Sequence, residues 1–325
     1  MLVLYFAQAA VPLALIVWIA VAPPRSHVGF WVQVLVTALG VYAVARLGLW
    51  LFPPWWTPVA LGVMLIAAIG VGWFRRARER RRRHVAVTLA PTGPTGWIVL
   101  GTFVLLGFFV TSETRSALAG SRPPEGASAR LESPLGAGLY LVANGGAGLQ
   151  LNAHADALDQ TVMAHRDFYG TAYGIDLVAI DAMGLRADGI MPADPARYRI
   201  FGMPVVAPCA GRVVMAIDGL PDMRVPEFDV SNMAGNHVIL RCGAAEIVLA
   251  HFRRGSVRVR IGQTVTVGTP VAQFGNSGGS SEPHLHVHAQ RPGATAAPLS
   301  GAPIPSLIRG RFLVRNDHFD VAEIP

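Results

Sequence analysis

The chain has 325 residues, 52% of them hydrophobic and only 14% charged, and its mean hydropathy is +0.42. That is too apolar for an ordinary soluble protein and points to a membrane component. The formal charge of +7 is local: seven arginines less one glutamate in Arg75–Arg83 supply +6 of it, no basic patch interleaved with aromatics is left to follow a phosphate backbone, and nucleic acid is not an expected partner.

Leu2–Ala22, Phe30–Leu51, Trp56–Phe74 and Trp97–Val110 are apolar runs. Three reach the ~20 residues that span a bilayer, and the fourth approaches that length through Thr111 and Ser112. The first run has no basic residue before it, which makes it a poor signal peptide. Pro23-Pro24 and Pro53-Pro54 mark turns, with Trp55 and Trp56 at an interfacial position. The stretch Arg75–His84 reads as a cytoplasmic loop by the positive-inside rule. One further span then places everything after about residue 113 outside the cytoplasmic membrane. Arg46 is the awkward charge, close to the outer end of its span, where it can snorkel or face a neighbouring helix.

Residues 113–135 are polar, with Pro and Gly, and read as a linker. From about Gly136 short apolar or alternating runs recur: Leu139–Val142, Gly174–Ile180, Pro204–Val206, Gly211–Ile217, His237–Arg241, Glu246–Phe252, Ser256–Val259, Thr264–Val267, Val271–Phe274, His284–His288 and Phe312–Val314. Many short strands at close spacing predict an antiparallel all-β domain, a sandwich or barrel, with Ala153–Ala164 as the best helical candidate. The expected organisation is an all-α transmembrane region of about four helices over 1–112, a linker over 113–135 and the β-rich domain over 136–325, which is long enough to bury its own core. Cys209 and Cys242 fit neither a zinc ribbon nor a dense disulfide framework. They are either two small buried thiols or, in an oxidising space, one disulfide. Pairing is the expectation if the domain lies outside the cytoplasm.

Ser280-Ser281-Glu282-Pro283-His284-Leu285-His286-Val287-His288 reads as a strand entered through a proline. Residues two apart share a face, so His284, His286 and His288 line one side. Three imidazoles in reach of a common point suit a metal site; the bland alternative is a chance cluster of exposed histidines. Asp176 interrupts the apolar strand Gly174–Ile180, and a buried carboxylate needs a partner such as a metal, an arginine or a turn. His251 ends the apolar run Glu246–Phe252; taken alone it is more often a satisfied core histidine than a catalyst. Phe274-Gly275-Asn276-Ser277-Gly278-Gly279 is a flexible loop that either shapes a groove wall or simply turns the chain.

The order Gly-Ile-Asp (174–176), Pro-Val-x-Ala-x-x-x-Gly-x-Val (204–213), Gly-Asn-x-Val (235–238), Leu-Ala-His (249–251), Val-x-x-Gly-x-Pro-Val-x-x-x-Gly-Asn-Ser-Gly (265–278) and Pro-His-Leu-His (283–286) resembles the lysostaphin-type, LytM-like zinc metallopeptidases over roughly residues 150–290. The resemblance implies a β-rich domain that binds one zinc ion and cleaves peptide bonds in peptidoglycan. It assigns Asp176 and His286 as metal ligands and His251 and His284 as histidines that assist catalysis. His288 stands where the family often has glutamate and receives no role. The family's first ligand, usually a histidine four residues before the aspartate, is here Ala172. Two candidates precede Asp176: His154, in Asn152-Ala153-His154, and His165. A divergent branch with an Asn-x-His segment before a Tyr-x-x-Asp strand favours His154, with His165 as the alternative. Zinc held by Asp176, His286 and that histidine would polarise the scissile carbonyl and its water, with His251 and His284 serving the proton and the oxyanion.

The implied protein is a membrane-anchored zinc endopeptidase whose partners are peptidoglycan peptides and the lipid bilayer. Ala172 motivates the rival reading, a degenerate relative that binds the cell wall or activates a partner hydrolase. A biotinyl- or lipoyl-type carrier, which the style of Val267-Gly268-Thr269-Pro270-Val271 resembles, needs a lysine, and the chain has none. Four short spans with only Arg46 inside them argue for an anchor rather than a transporter.

Overall fold

The structure, a computed structural model, describes residues 2–83 and 88–322. It divides into two compact units between Ser116 and Ala117.

The first unit is helical: α1 (Leu2–Val21), α2 (His27–Leu47), α3 (Thr57–Arg83) and most of α4 (Gly93–Gly120). Four spans are expected; among the described residues three helices are long and apolar enough to cross a membrane: His27–Leu47, Thr57–Arg82 and Gly93–Gly120. The first offers a shorter apolar segment, Tyr5–Val21. Ile16, Ile19, Phe30, Val34, Leu61 and Leu65 pack together inside the unit. Val63, Ile66, Leu105 and Phe108 stand out from it, each more than 60% exposed. A helix apolar on its outer side as well suits lipid rather than water. The arginine run, expected as a loop, is instead the continuation of α3 through Arg83; arginine is a good helix former, and nothing in 75–83 breaks the ladder. His84 lies outside the described residues. Arg46 falls in the last turn of α2, where a cation suits the helix dipole. The α4 helix runs on to Gly120, so ordered structure occupies part of the stretch expected as a linker.

The second unit holds β1 (Ala129–Leu131), β2 (Gly138–Asn144), β3 (Ile175–Ile180), β4 (Pro204–Val206), β5 (Gly211–Ile217), β6 (Asn236–Cys242), β7 (Ala245–Phe252), β8 (Thr264–Val265), β9 (Pro270–Gln273), β10 (Leu285–Gln290), β11 (Pro303–Ile304), β12 (Ser306–Ile308) and β13 (His318–Val321). Nine of them form one sheet in the order β13-β2-β3-β10-β7-β6-β5-β8, with β11 added to β10. The sheet is open, with β13 and β8 at its ends, so the expected barrel does not close. The pairing is antiparallel except for β1 with β12. Ser256–Val259 and Phe312–Val314, expected as strands, are irregular. Val259, Leu313 and Val314 are nevertheless buried: their apolar pattern reports burial without a ladder. Ala153–Ala164, expected as a helix, is a 3₁₀ segment at Ala153–Leu158 and the start of a second at Met163–Tyr173. Between them the Asp159 carboxylate accepts from the Thr161 amide and hydroxyl, drawing the backbone out of helical register. Cys209 and Cys242 form a disulfide, their Cα atoms 6.2 Å apart.

Alternation decides which side of the sheet carries chemistry. Ile175, Leu177, Leu285, Val287, Ile247 and Leu249 enter the main core. Their neighbours Asp176, His286, His288 and Gln290 therefore project from the other face of β3 and β10, beside Val248, Ala250 and Leu299. Every residue of β3 and β10 is buried, so both faces of these central strands are covered.

Candidate active site

Two adjacent strands and one 3₁₀ segment build the centre. β10 and β3 pair so that His286 lies opposite Asp176. Asp176 Oδ1 is 2.9 Å from His286 Nδ1, and Oδ2 is 2.9 Å from His154 Nε2. Asn152 brings His154 in: it accepts from the His154 amide, capping the segment Ala153–Leu158, and donates to the carbonyls of Gly146 and Gly174. Gly174 leaves the room, because a Cβ there would lie 2.5 Å from His286 Cε1 and 3.1 Å from His154 Cδ2. Asp176 is held from behind by Asn144 Nδ2 at 2.8 Å, and Asn144 in turn accepts from Arg315 at 2.9 Å.

His284 and His251 complete the cluster. His284 Nε2 is 3.5 Å from Asp176 Oδ1, and the His251 and His284 rings are 4.7 Å apart. Each is fixed through Nδ1, which donates to a backbone carbonyl: Ser277 for His251 and Glu282 for His284, both at 2.9 Å. A neutral imidazole anchored in this way carries its lone pair on Nε2. By strand alternation His251 would point into the core beside Leu249. Its φ of 66° breaks the alternation, so that Phe252 takes the core position and the His251 ring lies 5.9 Å from His286. A non-glycine residue in the left-handed region is strained, and such strain clusters at functional sites.

Burial works against the Asp176 carboxylate, but the His154 and His284 charges and the hydrogen bonds from His154 and His286 overcome it and hold its pKa well below the ordinary value. Burial likewise opposes the His154 imidazolium, yet the Asp176 charge and hydrogen bond raise its pKa on balance. Burial, reinforced by His284 and His286, pushes His251 well below the usual histidine range, which keeps it neutral. His288 is pushed the same way by burial and by His286.

Among the described residues, His154, Asp176 and His286 bring their donor atoms within 4.8 Å of one another. Two imidazole nitrogens and a carboxylate are a zinc-type donor set, so these residues fit that metal. The alternative, His165, is not in the group: it is half-buried on the groove wall, its Nδ1 3.1 Å from the Asp159 carbonyl. Ala172 is fully buried and offers no donor atom. The groove beside the cluster has a volume of about 490 Å³, with His154, His251 and His286 on its floor and Ala157, Phe168, Val230, Met233 and Leu299 among its walls. Asn144, Gln290 and Arg315 carried no expectation from sequence, and Gly174 only its place in the Gly-Ile-Asp motif. Of the first three only Gln290 had a signal, since it continues the two-residue spacing of His286 and His288.

Residues 197–298 match the model of Peptidase family M23. The match takes in His251, His284 and His286; His154 and Asp176 lie before it. None of the curated proteins compared with the chain matches it. Among solved structures, the catalytic domain of lysostaphin from Staphylococcus simulans is 21% identical, with 39% of this chain and 71% of that one covered and a TM-score of 0.26. A mutant catalytic domain of the prophage-encoded M23 protein EnpA from Enterococcus faecalis is 21% identical over 37% of this chain and 68% of that one, with a TM-score of 0.26. Csd3 of Helicobacter pylori is 16% identical over 46% and 28%, with a TM-score of 0.24.

Proposed function

We propose that this chain is a membrane-anchored zinc metallo-endopeptidase that hydrolyses peptide bonds of peptidoglycan outside the cytoplasmic membrane. The observation that carries the reading is the convergence of His154, Asp176 and His286 donor atoms beside two histidines that each present Nε2. Family M23 supplies the reaction class, and the groove supplies room for an extended peptide. His154, Asp176 and His286 would hold the metal, with His154 taking the place of the ligand that Ala172 cannot supply. Zinc bound there would supply Lewis acidity to the scissile carbonyl and to the attacking water. His251, neutral and with its lone pair on Nε2, takes the proton from that water. His284 Nε2, 3.5 Å from Asp176 Oδ1, faces the same space and serves the developing oxyanion. Asn144 and Arg315 keep Asp176 in place while its charge is shared.

The test is elemental analysis of the purified full-length protein, paired with an assay on peptidoglycan peptides. The expected result is about one zinc per chain, lost in His154→Ala, Asp176→Ala and His286→Ala. His251→Ala and His284→Ala keep the metal and lose roughly 10²–10⁴-fold in hydrolysis. If His165→Ala loses zinc and His154→Ala does not, the ligand assignment is wrong. A wild-type protein without zinc removes the enzyme reading and leaves a module that binds the cell wall or activates a partner hydrolase.

A further inference from the structure

Behind His286 a chain of polar groups runs along one face of β10. His286 Nε2 lies 2.8 Å from His288 Nδ1, His288 Nε2 lies 3.3 Å from Gln290 Oε1, and Gln290 Nε2 donates to the Pro298 carbonyl at 2.6 Å. All three side chains are buried, Gln290 completely. The fit is close enough to need a glycine opposite: a Cβ on Gly170 would lie 1.8 Å from Gln290 Oε1.

The directions in this chain are forced from its far end. The Pro298 carbonyl can only accept, so the Gln290 amide nitrogen must face it. Turning the amide over would set two acceptors against each other at that distance. Gln290 Oε1 therefore faces His288 and can only accept, so His288 Nε2 carries the hydrogen. In a neutral ring that leaves the lone pair on His288 Nδ1, 2.8 Å from His286 Nε2. His286 Nε2 must then donate, and a neutral His286 has its lone pair on Nδ1, the atom that faces Asp176. A metal shared with Asp176 would take that atom in place of the hydrogen bond between the two side chains.

We propose that Gln290 is a positioning residue: acting through His288, it fixes the tautomer in which His286 offers Nδ1 to the metal. The proposal rests on His286 being a ligand, as in the function proposed above. Ligating histidines usually owe their orientation to a carboxylate, carbonyl or water on the other ring nitrogen. Here the partner is a second imidazole, which can donate or accept from the same atom. It needs Gln290 to choose, and a glutamate at position 288 would not, because an ionised carboxylate can only accept.

The experiment measures zinc affinity of the full-length protein by competition with a chelator, in a two-by-two set of variants. Gln290→Leu alone should weaken zinc about 10–100-fold, the usual cost of losing such a partner. In the His288→Glu background, where the acceptor is fixed without help, Gln290→Leu should change affinity less than about threefold against that same measure. An equal loss in both backgrounds makes Gln290 a packing residue and overturns the proposal, as does no loss in either. A second measurement stands apart from zinc and from folding of the variants. Histidine-selective ¹⁵N spectra of the metal-free wild type should show His288 protonated on Nε2. Protonation on Nδ1 overturns the relay, even if zinc binds. A wild type that binds no zinc but shows the Nε2–H form overturns the proposed function and not the proton order.

Discussion

His251 reaches the site only because its backbone adopts a φ of 66°, a conformation that costs an L-residue roughly 1–2 kcal/mol. The strain is functional if stability and activity respond oppositely when the side chain is removed. Glycine at this position releases the strain, whereas alanine keeps it. Both lose the Nε2 base. His251→Gly is therefore expected to unfold later in urea than His251→Ala, by about 1 kcal/mol, while both fail to hydrolyse peptidoglycan peptides. Equal stabilities would mean that the left-handed turn costs this chain nothing. Position 176 shows the complementary economy. Its carboxylate is surrounded by His154, His286, His284, Asn144 and, through Asn144, Arg315, so a charge that burial alone would neutralise stays ionised.

At the scale of the elements, the centre is a property of three neighbouring strands and the loops that enter them. β10 lies between β3 and β7, which sets Asp176 and Ala250 on either side of His286. The loop before β10 is tied down by Arg186, whose guanidinium grips Glu282 through two bonds of 2.9 and 2.8 Å, with both side chains buried. The carbonyl of that same Glu282 holds His284 Nδ1. Glu282→Gln takes the carboxylate charge from a buried guanidinium and is expected to cost about 3–5 kcal/mol, read from the urea midpoint of the full-length protein. Hydrolysis should fall as His284 loses its anchor, while zinc content stays near wild type. Unchanged stability would show that solvent reaches the pair. What sequence made legible here was alternation: β4 and β5 fall on their expected residues, because each is a short apolar run closed by Pro or Gly. The strands that escaped, β1, β11, β12 and β13, have two to four residues each, too short for a period of two to declare itself. The 3₁₀ segments escaped because a turn around Asp159 looks helical in composition. Arg315 escaped because its contact with Asn144 spans 171 positions and no local pattern announces it.

For the whole molecule, the question is which side of a membrane the β-rich unit faces. In α3 the apolar residues run from Thr57 to Phe74 and the arginines follow on the same helix. At 1.5 Å per residue those 18 positions make about 27 Å, close to the ~30 Å of a bilayer core, so the arginine turns would project from one face. Lys and Arg gather on the cytoplasmic side, and among the described residues α4 is the one apolar helix between Arg83 and the β-rich unit. The expectation is therefore that this unit lies outside, as the proposed function requires. Whether α1 crosses decides the side of the N-terminus and leaves this argument untouched. The Cys209–Cys242 disulfide agrees, since such bonds persist in oxidising spaces, and thiol labelling of the unreduced, denatured protein should find neither cysteine free. The decisive measurement is a pair of fusions. Alkaline phosphatase, which needs an oxidising space to fold, should be active when attached after residue 325 and inactive when inserted after Arg83. The reverse pattern would put the histidine cluster in the cytoplasm, where it has no peptidoglycan to cut.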